Sequence, residues 1–260
     1  MKVGLFIPCY VDQFYPQVAV ATLALLEKQN RPGAPLTVVY PPGQTCCGQP
    51  MANAGFEHLT HTLSQQFVNQ FAGVDYVVCP SGSCTLHLKE RLHSLTHEPA
   101  ATRLRSRVYE LVEFMTDILH VGTLSARFPS QRPVRRSGPV RVGLHQSCHG
   151  QRGLHLSGMS ERVETPFSKP LDLLRQVEGI DLIELDRPDE CCGFGGTFCV
   201  LEEAVSAKMG RDRVADHLRH GAEFITGADM SCLMHMEGIL RRQKSSTRVI
   251  HIAEILNSNA

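Results

Sequence analysis

The pattern of apolar and polar positions along the chain switches repeatedly between short β-type runs and longer helical stripes. Residues 3–7 form a compact apolar run that predicts a buried first strand, with Cys9 just past its carboxyl end. Residues 18–26 are longer and alanine-rich and stop at Asn30-Arg31-Pro32-Gly33, which predicts a buried helix with a termination signal. A β-branched run at 36–40 predicts a second strand, and Cys46-Cys47 fall in the loop after it. Phe56, Leu59, Leu63, Phe67 and Phe71 recur at three- and four-residue steps, the spacing of one helix face. Residues 74–78 predict a third strand that runs into Cys79-Pro80-Ser81-Gly82-Ser83-Cys84 and a helix. Residues 107–114 predict a short strand turning into a helix that fades near Leu119.

The order then repeats. Residues 140–144 predict a strand leading to His145-Gln146-Ser147-Cys148-His149, Phe167, Leu171, Leu174 and Glu178 space a helix, and residues 180–185 predict a strand before Cys191-Cys192. A helix over 200–219, a strand at 223–226, a helix opened by Cys232 and an apolar close at 248–256 follow. Cys9 to Cys148 is an offset of 139, Cys46 to Cys191 of 145, Cys84 to Cys232 of 148 and Val108 to Val249 of 141. Four landmarks in one order with a few residues of drift argue for duplication. The expected fold is α/β: two duplicated Rossmann-like halves, each a mostly parallel sheet with helices on both faces, related by a pseudo-two-fold axis. The halves are set at 1–126 and 140–260, joined by an exposed linker at 127–139 that carries three prolines and four arginines.

Composition alters this picture little. A chain of 260 residues allows one large or two small domains, and 42% hydrophobic with 20% charged residues describes an ordinary globule. Twenty-six basic residues balance 26 acidic ones, which removes a field-driven case for nucleic acid or an anionic membrane. No apolar run approaches the roughly 20 residues of a membrane span. The first apolar run is followed by no small-residue cleavage site, so a cytoplasmic protein is expected.

Ten cysteines change the picture more. A disulfide framework belongs to small secreted chains, which leaves metal or redox chemistry. Each half offers one cysteine, a vicinal pair and one cysteine at a helix start: Cys9, Cys46, Cys47 and Cys84, then Cys148, Cys191, Cys192 and Cys232. Every one follows a strand, the edge where sites form in open α/β sheets. Four thiolates suit an iron–sulfur centre, with zinc as the competitor, although structural zinc favours closely spaced C-x-x-C knuckles. Glycines at 48, 82, 193, 195 and 196 let N–H groups approach anionic sulfur. Cys79 and Cys199 are read as packed core residues, with Cys79 entering the first site as the alternative. Asp229 reads as a helix N-cap, with an oxygen ligand as the alternative. His145 and His149 flank Cys148 and His235 follows Cys232. His149, His235 and Arg152 are the weak candidates for proton transfer or a carboxylate contact, and otherwise the catalytic residues stay unassigned. There is no dinucleotide fingerprint, P-loop or nucleophile elbow.

Cys46-Cys47-Gly48-Gln49-Pro50, Pro80-Ser81-Gly82-Ser83-Cys84, Cys191-Cys192-Gly193-Phe194-Gly195-Gly196-Thr197-Phe198 and Cys232-Leu233-Met234-His235-Met236-Glu237-Gly238 resemble the LutA/YkgE family of CCG cysteine-rich proteins over essentially the whole chain. The wider group includes the CCG-containing subunit of heterodisulfide reductase. The resemblance implies an oxidoreductase, the iron–sulfur subunit of an NAD-independent L-lactate (2-hydroxy acid) oxidising complex. Its implied partners are a larger ferredoxin-like iron–sulfur subunit and a third small subunit, through which it could sit peripheral to a membrane. Where the heterodisulfide reductase protein ends in C-x-x-C, this chain has Ser81 before Cys84 and Asp229 before Cys232. Four core cysteines in each half favour [4Fe–4S] clusters over the non-cubane cluster of that relative, with zinc left open in one half. A heterodisulfide or thiol reductase subunit and a zinc-binding structural subunit are the alternative readings.

Overall fold

Val3, Gly4 and Leu5 of β1 (Lys2–Leu5) are buried, and a strand buried on both faces takes a parallel neighbour on each side. The computed structural model describes residues 1–31, 33–94, 96, 98–128 and 138–259, and the chain divides into two units, Met1–Leu119 and His120–Ala260. In the first unit β1 is followed by α1 (Cys9–Phe14), α2 (Pro16–Lys28), β2 (Thr37–Val39), α3 (Gln49–Asn53), α4 (His61–Phe71), β3 (Tyr76–Cys79), α5 (Gly82–Arg91), α6 (Glu98–Arg105), β4 (Val108–Glu110) and the one-turn α7 (Leu111–Glu113). The strands pair in parallel in the order β2-β1-β3-β4. Gly4 lies opposite Val39 and Val77, and Val77 opposite Val108.

The second unit contains β5 (Ala126–Arg127), β6 (Val140–Leu144), α8 (Lys169–Leu174), β7 (Val177–Glu178), β8 (Ile180–Ile183), α9 (Phe198–Leu201), α10 (Glu203–Arg219), β9 (Phe224–Gly227), α11 (Met230–Arg242), β10 (Arg248–His251) and α12 (Ile252–Leu256). Its main sheet runs β8-β6-β9-β10, again all parallel, with Gly143 opposite Ile183 and Ile225, and Ile225 opposite Val249. Counted within each half, both sheets have the spatial order second, first, third, fourth. The fourth strand ends alike in both. Glu110 with Glu113, and His251 with Glu254, form reciprocal capping boxes that start a short helix. The α/β fold with two four-stranded parallel sheets is therefore the one the alternation of periods predicts.

Local differences from the pattern have physical causes. Phe56 and Leu59 sit before α4, at 53% and 55% exposure, because Glu57–Thr60 winds as a 3₁₀ turn that rotates them off the buried face. The helix itself buries Ser64, Phe67, Val68 and Phe71. α6 is amphipathic but charged, and buries only Ala101 and Leu104. Glu178, expected on a helix, extends as β7 against β5. That pairing, with Arg127 N donating to Ser258 O at 3.2 Å and Phe128 N to Glu178 O at 2.9 Å, puts residues 120–128 in the second unit. Of the expected linker, residues 129–137 lie outside the described residues. Among the described residues no helix is long and apolar enough to cross a membrane.

The central strand of each sheet carries a glycine because a helix crosses against it. A Cβ on Gly4 would meet the Phe71 ring at 2.6 Å, and one on Gly143 would collide with the His217 ring. In the first unit Phe6, Phe67 and Phe71 form an aromatic cluster, with ring centroids 5.3, 6.0 and 4.6 Å apart. The corresponding positions in the second unit, by strand register and helix spacing, are His145, Arg213 and His217, all buried. Neither nitrogen of His217 has a hydrogen-bond partner among the described residues. Burial first, and the Arg213 charge second, push its pKa down to about 2. Below its ordinary value near 6.5 the unfolded chain takes up a proton that the folded chain refuses. Stability linked to His217 is therefore full above pH 6.5 and declines as pH falls toward 2. Between pH 7 and pH 5 this should cost about 2 kcal/mol. Denaturant unfolding at the two pH values should show that loss in the wild-type chain, and His217→Phe should reduce it by about that amount.

Candidate metal centre

Parallel strands bring all their carboxyl ends to one edge of a sheet, and both cysteine sets lie beyond such an edge. Cys9 opens α1 after β1, and Cys148 follows β6 at the head of a single π turn, His149–Gly153. The vicinal pairs lie in the loops after β2 and β8, and Cys84 and Cys232 sit in the first turns of α5 and α11. Those two helices are capped by the residues that replace the C-x-x-C cysteine. Ser81 accepts from Cys84 N at 3.3 Å, and Asp229 accepts from Ser231 N at 3.1 Å and Ser231 Oγ at 2.6 Å. In both halves the glycine after the pair takes positive φ, 94° at Gly48 and 82° at Gly193. That turn points its N–H back at the first sulfur of the pair, 3.4 Å from Cys46 and 3.3 Å from Cys191. A side chain at 193 would also strike Met209 Cβ at 2.6 Å, so the Cys-Cys-Gly sequence is a geometric requirement.

None of the ten cysteines is in a disulfide. The sulfurs form the same chain of contacts in each half: Cys9 to Cys46 to Cys47 to Cys84, and Cys148 to Cys191 to Cys192 to Cys232. One thiol per set is held as thiolate. The hydrogen bond from Cys47, then that from Cys9, brings Cys46 far below its ordinary value, and Cys148 followed by Cys192 does the same to Cys191. Their donors are pushed up, first by the hydrogen bond each gives to that thiolate. A cation among the sulfurs would displace the protons that the donor thiols retain. The separation of Cys47 Sγ and Cys84 Sγ is 3.4 Å. That is close to the roughly 3.8 Å edge of a tetrahedron of thiolates about 2.3 Å from one metal atom. The donor sets fit a thiophilic metal centre.

The remaining sequence candidates divide. Cys79, buried at the end of β3, touches Cys84 and so borders the first set, and burial foremost pushes its thiol up. Cys199 instead donates to Gly196 O at 3.0 Å. His149 Nδ1 lies 3.7 Å from Cys148 Sγ. His235 is turned to Ser206 O at 3.4 Å and packs against the Phe194 ring. Arg152 forms an exposed ion pair with Glu161 at 2.5 Å. The residue that pattern reading missed is Arg213, fully buried on α10. Its signal is a charged residue in phase with the buried positions Ser206, Gly210, Val214 and His217. A ring nitrogen of His145 and the sulfurs of Cys192 and Cys232 all lie within 4.8 Å of one another. A second such group, Asp186, Asp216 and His220, is crossed by Arg219, which pairs with both carboxylates, while Asp216 also pairs with Arg213.

A family model described as a cysteine-rich CCG domain matches residues 3–89 and 142–237, once per half. Lactate utilization protein A of Geobacillus kaustophilus is 37% identical over 262 residues, covering 99% of both chains. The protein of the same name from Bacillus subtilis is 37% identical and covers 99% of this chain and 100% of its own. Among solved structures, Picrophilus torridus aspartate racemase covers 98% of this chain and 90% of its own at 11% identity, with a TM-score of 0.35, too low to bear on fold or activity.

The shared-charge pattern makes a direct prediction. In metal-free protein at pH 6, limiting iodoacetamide should label Cys46 and Cys191 at least tenfold faster than the six other cysteines of the two sets, read by peptide mass mapping. Uniform labelling would contradict the hydrogen-bond order.

Proposed function

We propose, on the premise that this chain belongs to the lactate utilization protein A family of CCG cysteine-rich-domain proteins, that it is the iron–sulfur subunit of an L-lactate oxidising complex. The observation that carries this reading is the repetition, on two sheets of one topology, of four cysteine thiols linked in one order. Cys9, Cys46, Cys47 and Cys84 would hold one centre and Cys148, Cys191, Cys192 and Cys232 the other. A [4Fe–4S] cluster in each would supply one-electron transfer as lactate is oxidised to pyruvate. The chain's own part is to keep the sulfurs deprotonated, through the Gly48 and Gly193 N–H groups and the first turns of α5 and α11. A larger ferredoxin-like iron–sulfur subunit and a third small subunit would complete the complex. Of the catalytic candidates, His149 lies beside the proposed ligand Cys148, while Arg152 is held by Glu161.

A second reading is favoured by the 3.4 Å sulfur separation in the first half, which suits a single zinc ion there. Metal and sulfide analysis with electron paramagnetic resonance on anaerobically purified protein separates the two. Iron and sulfide near four per occupied half are expected, with Cys46→Ser and Cys191→Ser each abolishing the signal of its own half. Zinc at about one per first half would replace the cluster there, and colourless protein without iron after reconstitution would end the iron–sulfur reading altogether.

A further inference from the structure

The two halves differ directly beneath the cysteine edge. Phe6 follows β1 in the first half, and the position 139 residues later, after β6, is His145. His145 is fully buried, and its ring is oriented by Arg213, whose Nε donates to Nδ1 at 3.1 Å. Arg213 is itself fixed on every side. Nη1 donates to Arg187 O at 2.5 Å and to Asp216 at 3.3 Å, and Nη2 donates to Leu144 O at 3.3 Å. The first half meets the equivalent carbonyl, Leu5 O, with the neutral side chain of Gln44 at 2.8 Å.

A guanidinium has donors and no acceptor, so His145 Nδ1 must accept. In a neutral imidazole the proton then sits on Nε2. Because Nδ1 accepts from Arg213, it carries no proton and the ring is not an imidazolium. Nε2 is buried and has no partner among the described residues. An unsatisfied buried donor is costly, and the groups within reach of the ring are the sulfurs of Cys192 and Cys232.

We infer that His145, positioned by Arg213, donates its Nε2–H to sulfur of the second-half centre, and so raises the reduction potential of that centre above that of the first half, where Phe6 offers no donor. The inference rests on the iron–sulfur reading proposed above. One-electron reduction adds negative charge to the centre and its sulfurs, and an N–H···S bond strengthens with that charge, so the reduced form gains. The proton stays on Nε2 throughout, and no bond is made or broken. The ring is a donor and not a ligand, because Arg213 already occupies the lone pair of Nδ1.

Two measurements test this. The first needs no metal: nitrogen–proton correlation spectra of full-length metal-free protein at pH 7 should show His145 protonated at Nε2 alone. Arg213→Met should give a mixture of tautomers. An Nδ1–H tautomer or an imidazolium in the wild type overturns the inference, and an unchanged Nε2–H form in Arg213→Met overturns the positioning role. The second is a dithionite titration of reconstituted protein followed by electron paramagnetic resonance. His145→Phe, which copies the first half, should shift the second midpoint to more negative potential and leave the first in place. His145→Gln, which keeps an N–H donor, should recover part of the shift and serves if the phenylalanine variant folds poorly. Equal midpoints in wild type and His145→Phe would refute the hydrogen bond. So would loss of the second centre from folded His145→Phe protein, which would make His145 a ligand. Wild-type protein that binds no iron would end the functional reading instead, and the tautomer measurement alone would then decide whether His145 offers a donor.

Discussion

Four sulfurs crowded at one sheet edge cannot all be anionic without a cation among them, and the rest of each half is arranged around that constraint. Parallel strands deliver the cysteines from separate loops to a common edge. The Cys-Cys-Gly turn aims an amide at the first sulfur, and helix first turns carry the last one. Without metal, the hydrogen bonds of neighbouring thiols push Cys46 and Cys191 towards thiolate. The fold therefore prepares the geometry and part of the charge, and leaves the remaining protons to be displaced by whatever binds.

Duplication kept the backbone and released the core. The sheet order, the glycine on the central strand and the capping boxes after the fourth strand recur in both halves. Beneath the site, however, an aromatic cluster of Phe6, Phe67 and Phe71 is matched by His145, Arg213 and His217. The aromatic version contains no titratable group. The polar version holds a buried cation whose cost is offset by Asp216, two carbonyls and an imidazole. A charge at that depth beneath the second cysteine set has no counterpart beneath the first.

Much of this was legible in the pattern of residues. The four strands of each half, the duplicated register and the eight clustered cysteines are visible because strand burial, helix phase and Cys-Cys-Gly turns each leave a local mark. Elements whose signal is split between neighbours were not legible: α6, with its charged amphipathic face, and β7, which extends only because β5 lies beside it. Arg213 was hidden for the same reason. On a helix wheel an arginine reads as a solvated position, and apart from Asp216 at i+3 nothing nearby in sequence reveals that Leu144 O and Arg187 O will surround it.

The sequence by itself determined that eight of the cysteines come in two equivalent sets of four, since residue type, spacing and glycine placement are local properties. Only the tertiary structure decided the order in which the sulfurs touch, which thiol of each set carries the charge, that Cys79 borders the first set while Cys199 does not, and that Arg213 orients His145 beneath the second. The placing of Arg213 in particular depends on contacts between residues 26 to 69 positions apart along the chain, where electrostatic energy is set by through-space contact and not by sequence neighbourhood.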